Sequence, residues 1–305
     1  STSPARVPSP TRQLGTLTRR YTGIITSDVR NTLLLLVQAP ILGLLMLLAL
    51  GSNGLMTASA LSSAGAAPSA VGGGTVLLAL VLGATYLGAG NAVREIVKER
   101  AILARERAAG LSAGAYLISK VIVLGVLTVV QSIIMVLLAT ARQGTVTSGT
   151  ILGSGRLELI VVASAAGIAA MALGLMISAL VANPDKALTV LPVVLLAQFL
   201  LSGALFNVAG NPVLRPVSYV TSARWAFAAS ASTVDLRAMP SPVGCSADNG
   251  SRSDRASTSG PNCDGARAHT AGTWLGDMAG VLLLTVLALV IAWGFVRRIG
   301  RPRRQ

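Results

Sequence analysis

The sequence predicts an all-α polytopic membrane protein: six transmembrane helices, an N-terminal amphipathic helix, and a long outer loop between the fifth and sixth spans. Three observations carry this. Hydrophobic residues make up 52% of the chain and charged residues only 12%, about half the charge of a soluble domain. Apolar runs long enough to cross a bilayer recur between short polar connections. The net charge of +14 comes from basic residues that flank those runs, a placement suited to anionic headgroups. No nucleic-acid partner is expected.

Residues 1–10 are Pro/Ser-rich and read as the tail of a linker, so this segment is expected to be one part of a longer polypeptide. No signal peptide is visible. Residues 11–30 place Leu14, Leu17, Tyr21, Ile24 and Ile25 on one helical face, with Arg12, Arg19 and Arg20 away from it. That pattern predicts an amphipathic helix along the membrane surface. A helix packed on a preceding domain is the alternative.

The membrane domain is expected over 31–305, with spans at roughly 32–51, 75–93, 116–140, 158–182, 187–206 and 275–296. Pro40 and Gly43 predict a kink in the first. Only Asn183-Pro184-Asp185-Lys186 separates the fourth from the fifth, which predicts an antiparallel neighbour pair. In the outer loop, 207–274, residues 212–235 are fairly apolar and predict short helices at the outer interface. Residues 236–272 are Ser/Gly/Asp-rich and predict a flexible loop. Cys245 and Cys263 lie there. Outside the membrane a disulfide is the default for such a pair, contributing about 3 kcal/mol in the chain-entropy picture. With His269 they still lack the fourth ligand and close spacing of a metal site, so no metal is expected.

Orientation follows from the basic residues. Arg6, Arg12, Arg19, Arg20 and Arg30 precede the first span. Arg94, Lys98, Arg100, Arg105, Arg107 and Lys120 follow the second. Lys186 joins the fourth to the fifth, and Arg297, Arg298, Arg301, Arg303 and Arg304 end the chain. With both termini cytoplasmic, these seventeen of the 25 basic residues lie inside. The loop from 52 to 74 has none. A multi-pass protein of the plasma membrane with both termini inside is the expectation.

The most unusual stretch runs Arg94-Glu95-Ile96-Val97-Lys98-Glu99-Arg100, then Arg105-Glu106-Arg107-Ala108-Ala109-Gly110, then Tyr116 to Lys120. It gathers most of the early charge between two spans. Its alternating signs predict a helix over 94–115 that touches a partner; a solvated face is the plainer alternative. Elsewhere the chemistry is sparse. There is no G-x-x-x-x-G-K-[ST] to cradle a nucleotide. No span holds a histidine or a carboxylate pair, which counts against an intramembrane protease and an ion-coupled carrier. No catalytic residue and no cofactor are expected in this chain. Glu158 and Asp277 fall at span ends and read as interfacial. Mid-span polarity is limited to Gln38, Thr85, Asn91, Gln131, Ser164 and Gln198, each explicable as an interhelical hydrogen bond. Gln38, Thr85 and Gln198 are also candidates to line a substrate path. Gly83, Ala84, Gly88, Gly90, Gly167, Gly174 and Ser178 predict close helix packing.

The pattern Glu99-Arg100, Arg105-Glu106-Arg107, Gly110, Tyr116 and Ser119-Lys120 resembles the first cytoplasmic loop of ABCG-type exporters. The run Leu201-Ser202-Gly203-Ala204-Leu205-Phe206-Asn207 is similar to the end of that family's fifth helix. Pro216-Val217-Ser218-Tyr219 and Arg224-Trp225-Ala226 resemble its short outer re-entrant helices, and 11–30 its connecting helix. The likeness covers nearly the whole chain; its motifs are loose singly and specific in their order and spacing. It is strongest to mycobacterial exporters carrying forkhead-associated and nucleotide-binding domains upstream. The resemblance implies that Arg94, Glu95, Lys98, Glu99, Arg100, Arg105, Glu106, Arg107 and Gly110 form a coupling helix docked on a nucleotide-binding domain. It implies an apolar plug at 204–205. Leu205 and Phe206 are the candidates for the constriction, and Ala204 departs from the family's usual leucine. It further implies a homodimer, ATP and Mg in an associated domain that hydrolyses ATP, and membrane lipids as partners. The expected cargo is an amphipathic envelope lipid or glycolipid, such as a phosphatidylinositol mannoside, moved out of the cytoplasmic leaflet. Two alternatives stay open: a non-transporting membrane anchor for upstream signalling domains, and an integral-membrane lipid-modifying enzyme.

Overall fold

A computed structural model describes residues 10–27, 29–65, 71–143, 149–205, 212–236 and 269–299. Among the described residues the regular structure is helical. The amphipathic segment is α1 (Pro10–Ser27), followed by α2 (Val29–Ala49), a short α3 (Ala58–Ala64) and α4 (Gly73–Ala92). A 3₁₀ turn (Val97–Glu99) leads into α5 (Arg100–Ala108). Then come α6 (Ala113–Ala139), α7 (Gly155–Leu180) and α8 (Pro184–Leu200). Two short helices, α9 (Leu214–Ser218) and α10 (Ser222–Thr233), precede α11 (Ala271–Arg298).

Local chemistry sets many of the boundaries. Thr57 Oγ1 accepts from Ala60 N at the start of α3, and Gly65 closes that helix at φ +60°. Ser112 and Thr270 cap α6 and α11 through their side-chain oxygens. Pro184 opens α8, where a missing N–H costs nothing, and Asp185 follows in the first turn. Arg297 and Arg298 end α11, where cations suit the carbonyl end of the dipole.

Helices α2, α4, α6, α7 and α11 lie in segments long and apolar enough to cross a membrane. The expected fifth span differs. Helix α8 has 17 residues, about 25 Å at 1.5 Å per residue, against about 30 Å of hydrocarbon. It starts at Pro184 and gives way after Leu200 to turns, with Gly203 at φ +79°. It also packs loosely: only Ala187, Leu191 and Gln198 are buried. It shares a small cluster with Val93 and Val97 beyond α4 and with Ala170 and Ile177 of α7.

The bundle's spine is α4 against α7, with α11 on the other side of α7 and α6 bridging to α2. An ideal Cβ on Gly88 would lie 2.0 Å from the carbonyl oxygen of Gly167. One on Gly174 would lie 2.9 Å from Ala89 O. The two backbones therefore touch, which only small residues allow. Outward, α2 shows Leu33, Leu34 and Leu48, α8 shows Val193 and Leu196, and α11 shows Leu282 and Leu283. Apolar exposure on that scale belongs in lipid or against another apolar surface.

The segment 212–235 forms two short helices, as the sequence suggested. The second, α10, is packed into the bundle, with Ala223, Ala226, Phe227, Ala229 and Ala231 fully buried. It runs antiparallel to the first half of α11. Trp274 Nε1 donates to Thr233 Oγ1 at 3.1 Å, and the Trp225 ring lies where a Cβ on Gly280 would be. Glu158 and Asp277 lie near the starts of α7 and α11, at span ends as expected, with their side chains buried in the protein. Glu158 accepts from Ile151 N, Leu152 N and the Thr150 hydroxyl at 2.6, 2.9 and 3.0 Å, tying down the turn before α7.

Candidate functional site

The charged stretch folds at one end of the bundle, where α4, α7 and α11 finish and α2, α6 and α8 begin. It is not a continuous helix over 94–115. Turns at 93–96 and the 3₁₀ segment precede the nine-residue α5, and Gly110 ends it at φ +99°. A glycine is required there because an L side chain is strained at that angle.

Lys120 organises the interior. It lies in the third turn of α6 and is 2% exposed. Its Nζ lies 3.0 Å from Glu95 Oε2 and 2.8 Å from Glu99 Oε1. It also sits 3.6 Å above the Tyr21 ring. The Tyr116 hydroxyl donates to Glu99 Oε2 at 2.8 Å. Tyr21 and Lys98 both donate to Glu95. Burial, then the adjacent Glu95 charge, pushes the Tyr21 phenol far above its ordinary value, so it stays a donor. One buried ammonium thus joins α1, the 3₁₀ turn and α6. Around it lie Leu103, Leu117, Met171 and Val296.

A second set of bonds ties α5 to the ends of other helices. Arg100 Nη1 donates to Val181 O, the C-cap of α7, at 2.7 Å. Arg107 donates to Leu111 O at 2.9 Å and to Arg297 O, in the last turn of α11, at 3.3 Å. Ser178 Oγ of α7 accepts from both Ile96 N and Val97 N at 3.0 Å. On the α1 side, Arg20 pairs with Glu106 at 2.7 Å, and Gln13 Oε1 accepts from Ser112 N at 3.0 Å. A cavity of about 120 Å³ remains among α1, α5 and α6, lined by Leu17, Arg20, Ile102, Glu106 and Ser119.

The nine candidates in this stretch therefore divide. Glu95, Glu99 and Glu106 are engaged within the chain, and Arg100 and Arg107 cap other elements. Arg94 and Arg105 are exposed, and Lys98 keeps 49% of its side chain in solvent while it reaches Glu95. The second group of candidates is not drawn together in the same way. Thr85 is fully buried and donates to Leu82 O. The amide of Gln198 donates to Ser222 Oγ at 3.3 Å and accepts from Ala223 N at 2.9 Å, capping α10. Gln38 is half-exposed on α2. Leu205, just past α8, is 39% exposed. Phe206, Cys245 and Cys263 lie outside the described residues.

Two of the mid-span amides, read from the sequence as interhelical hydrogen-bonders, meet each other. Asn91 Nδ2 donates to Gln131 Oε1 at 2.6 Å, and Gln131 Nε2 donates to Leu35 O at 2.7 Å. This chain links α4 through α6 to the α2 backbone one turn before Pro40.

Comparison with known proteins adds two findings. A family model described as ABC-2 type transporter matches residues 13–234. The chain is 35% identical over 288 residues, 94% of its length, to the ABC transporter ATP-binding/permease protein Rv1747 of Mycobacterium tuberculosis. It spans 30% of that relative's length.

Proposed function

This chain belongs to the ABC-2 type transporter family, and we propose that it is the permease half-unit of an ATP-driven exporter in the plasma membrane. It is a multi-pass membrane protein built of apolar helices. The observation that carries the mechanism is the Lys120 cluster with the arginine caps of α5. Together they join the turns at 93–99 and the short polar helix that follows them to α1, α6, α7 and α11. A push on α5 from a nucleotide-binding domain, holding ATP and Mg and lying upstream on the same polypeptide, reaches all four helices through these bonds. Both termini then face the cytoplasm, as the basic residues at this end of the bundle suggest.

Two copies form the path across a two-fold axis. The apolar faces of α2 and α8 left exposed on one copy support that arrangement. Native mass spectrometry returning only single copies would remove the paired path. The cargo is an amphipathic lipid or glycolipid of the envelope, a phosphatidylinositol mannoside among the candidates. The scarcity of fixed charge in the spans suits such a molecule. Leu205, with Phe206 beside it, closes the path beyond the end of α8, and Gln38 lies along it. Gln198 joins α8 to α10 beside it, and Thr85 lies buried within α4.

The test is ATP-dependent movement of a fluorescent phosphatidylinositol mannoside between leaflets of vesicles holding the full transporter. Movement that stops when ATP is omitted is expected, and Leu205→Ala should raise the ATP-independent leak. ATP hydrolysis unaffected by any added amphipathic lipid, with no leaflet exchange, would reject the lipid cargo. A Leu205→Ala leak equal to that of the parent would reject the plug.

A further inference from the structure

We infer that the outward ridge of α5 docks on a groove with an acidic rim and a shallow apolar floor in the nucleotide-binding domain. This rests on the docking proposed above and names the chemistry of the surface on the other side. The sequence of 94–107 alternates in sign, which suggests a partner of mixed charge. Folding turns the acids to partners within the chain, although Glu99 and Glu106 keep 25% and 31% of their side chains exposed. Glu95 is 9% exposed and is held by Tyr21, Lys98 and Lys120. Glu99 is held by Lys120 and Tyr116, and Glu106 by Arg20. All three carboxylates of the segment thus have cations or phenols of this chain against them.

The most exposed side chains are cationic and apolar. Ala101, Ile102, Arg105 and Ala108 are exposed on α5, and their spacing puts them on one helical face. Ile102 is 43% exposed. Arg94 is exposed just before the 3₁₀ turn, and half of the Lys98 side chain lies beside it in solvent. Small alanines around one isoleucine make a low ridge that enters a groove. The arginines at either end demand carboxylates at its rim, because like charges placed opposite repel and suppress docking. The anionic surface of the bilayer is the competing occupant for such a face.

The experiment uses the full transporter, nucleotide-binding domain included, in nanodiscs with and without anionic lipid. Ile102→Cys reports docking through a short thiol-reactive cross-link to the nucleotide-binding domain. Arg94→Glu with Arg105→Glu reverses the rim contacts; both side chains are solvent-exposed, so thermal stability should match the parent. The expected result is a cross-link in the parent background whose yield falls about tenfold or more on reversal. The loss should shrink in 0.5 M salt, where the screening length drops to a few ångströms. A cross-link unchanged by reversal overturns the acidic rim and leaves docking intact. No cross-link even in the parent background overturns the docking itself. A yield that depends on anionic lipid and not on the nucleotide-binding domain assigns the ridge to the membrane surface and also overturns the inference.

Discussion

Lys120→Ala should cost about 3–5 kcal/mol of stability, the cost of breaking a buried ion pair from one side. Among the described residues, Nζ is the one cation paired with Glu99, at 2.8 Å, and one of two paired with Glu95. Removing it leaves Glu99, among the described residues, with the Tyr116 hydroxyl and the quarter of its side chain that reaches solvent. The carboxylate would then have to stay charged in a poor medium or take up a proton, and either is unfavourable. Two companions separate this from loss of side-chain bulk. Adding Glu99→Gln to Lys120→Ala should recover part of the loss, since no uncompensated charge is left behind. Lys120→Arg should fail to rescue: the guanidinium is larger than the ammonium that fits 3.6 Å above the Tyr21 ring. Denaturant unfolding in detergent measures all three, and the double-mutant cycle gives the coupling between the pair. A Lys120→Ala protein within about 0.5 kcal/mol of the parent, the range of an ordinary surface change, would contradict the network.

Gly88→Val is the second large effect. A Cβ at that position would sit 2.0 Å from Gly167 O, 2.7 Å from its carbonyl carbon and 3.0 Å from its Cα. These are backbone atoms of another helix, so no rotamer change relieves the clash. The α4–α7 pair would have to part by more than an ångström along the most extensive packing in the bundle. A loss of about 3 kcal/mol or more is expected, at the upper end of overpacking effects. Gly90→Ala is the control: nothing lies within 4 Å of its Cβ, and alanine is the better helix former by about 1 kcal/mol. Thermal unfolding of the two variants beside the parent decides it. Equal melting temperatures for Gly88→Val and Gly90→Ala would refute the backbone contact.

Much of the fold was legible because the bilayer simplifies the code. Long apolar runs and basic flanks placed five membrane helices, and the Leu17–Tyr21 stripe placed α1. The glycines of the second and fourth spans announced close packing, and Gly88, Gly167 and Gly174 deliver it. The end of α8 was not legible. Leu201, Ala204, Leu205 and Phe206 continue the apolar run, and hydropathy does not register that Gly203 adopts a positive φ. The near-complete burial of α10 was not legible for the opposite reason. Its sequence, Ser222 to Thr233, is Ala/Ser-rich and only mildly apolar, which resembles an interfacial helix. Those small side chains let it pass between α4, α7 and α11, where its hydroxyls bond to its own carbonyls.

The candidate site was half legible. Its location followed from charge density between two spans. The inward turn of the acids did not, because the partners are 74, 25 and 21 residues away in sequence for Tyr21–Glu95, Lys120–Glu95 and Lys120–Glu99. One residue did carry the signal. A lysine eight residues into an apolar helix must be paired or point to water, and the acids of the preceding loop are the nearest opposite charges. Tyr21, on the apolar stripe of an amphipathic helix, then becomes the natural cover for that ammonium.

The most direct check on force entering through α5 is hydrogen–deuterium exchange on the full transporter, free and with ATP plus vanadate. Slower exchange is expected at the amides of 94–112 and in the last turns of α7 and α11, which α5 holds through Arg100 and Arg107. Exchange at 94–112 that is identical in the two states, with protection appearing only elsewhere, would contradict it.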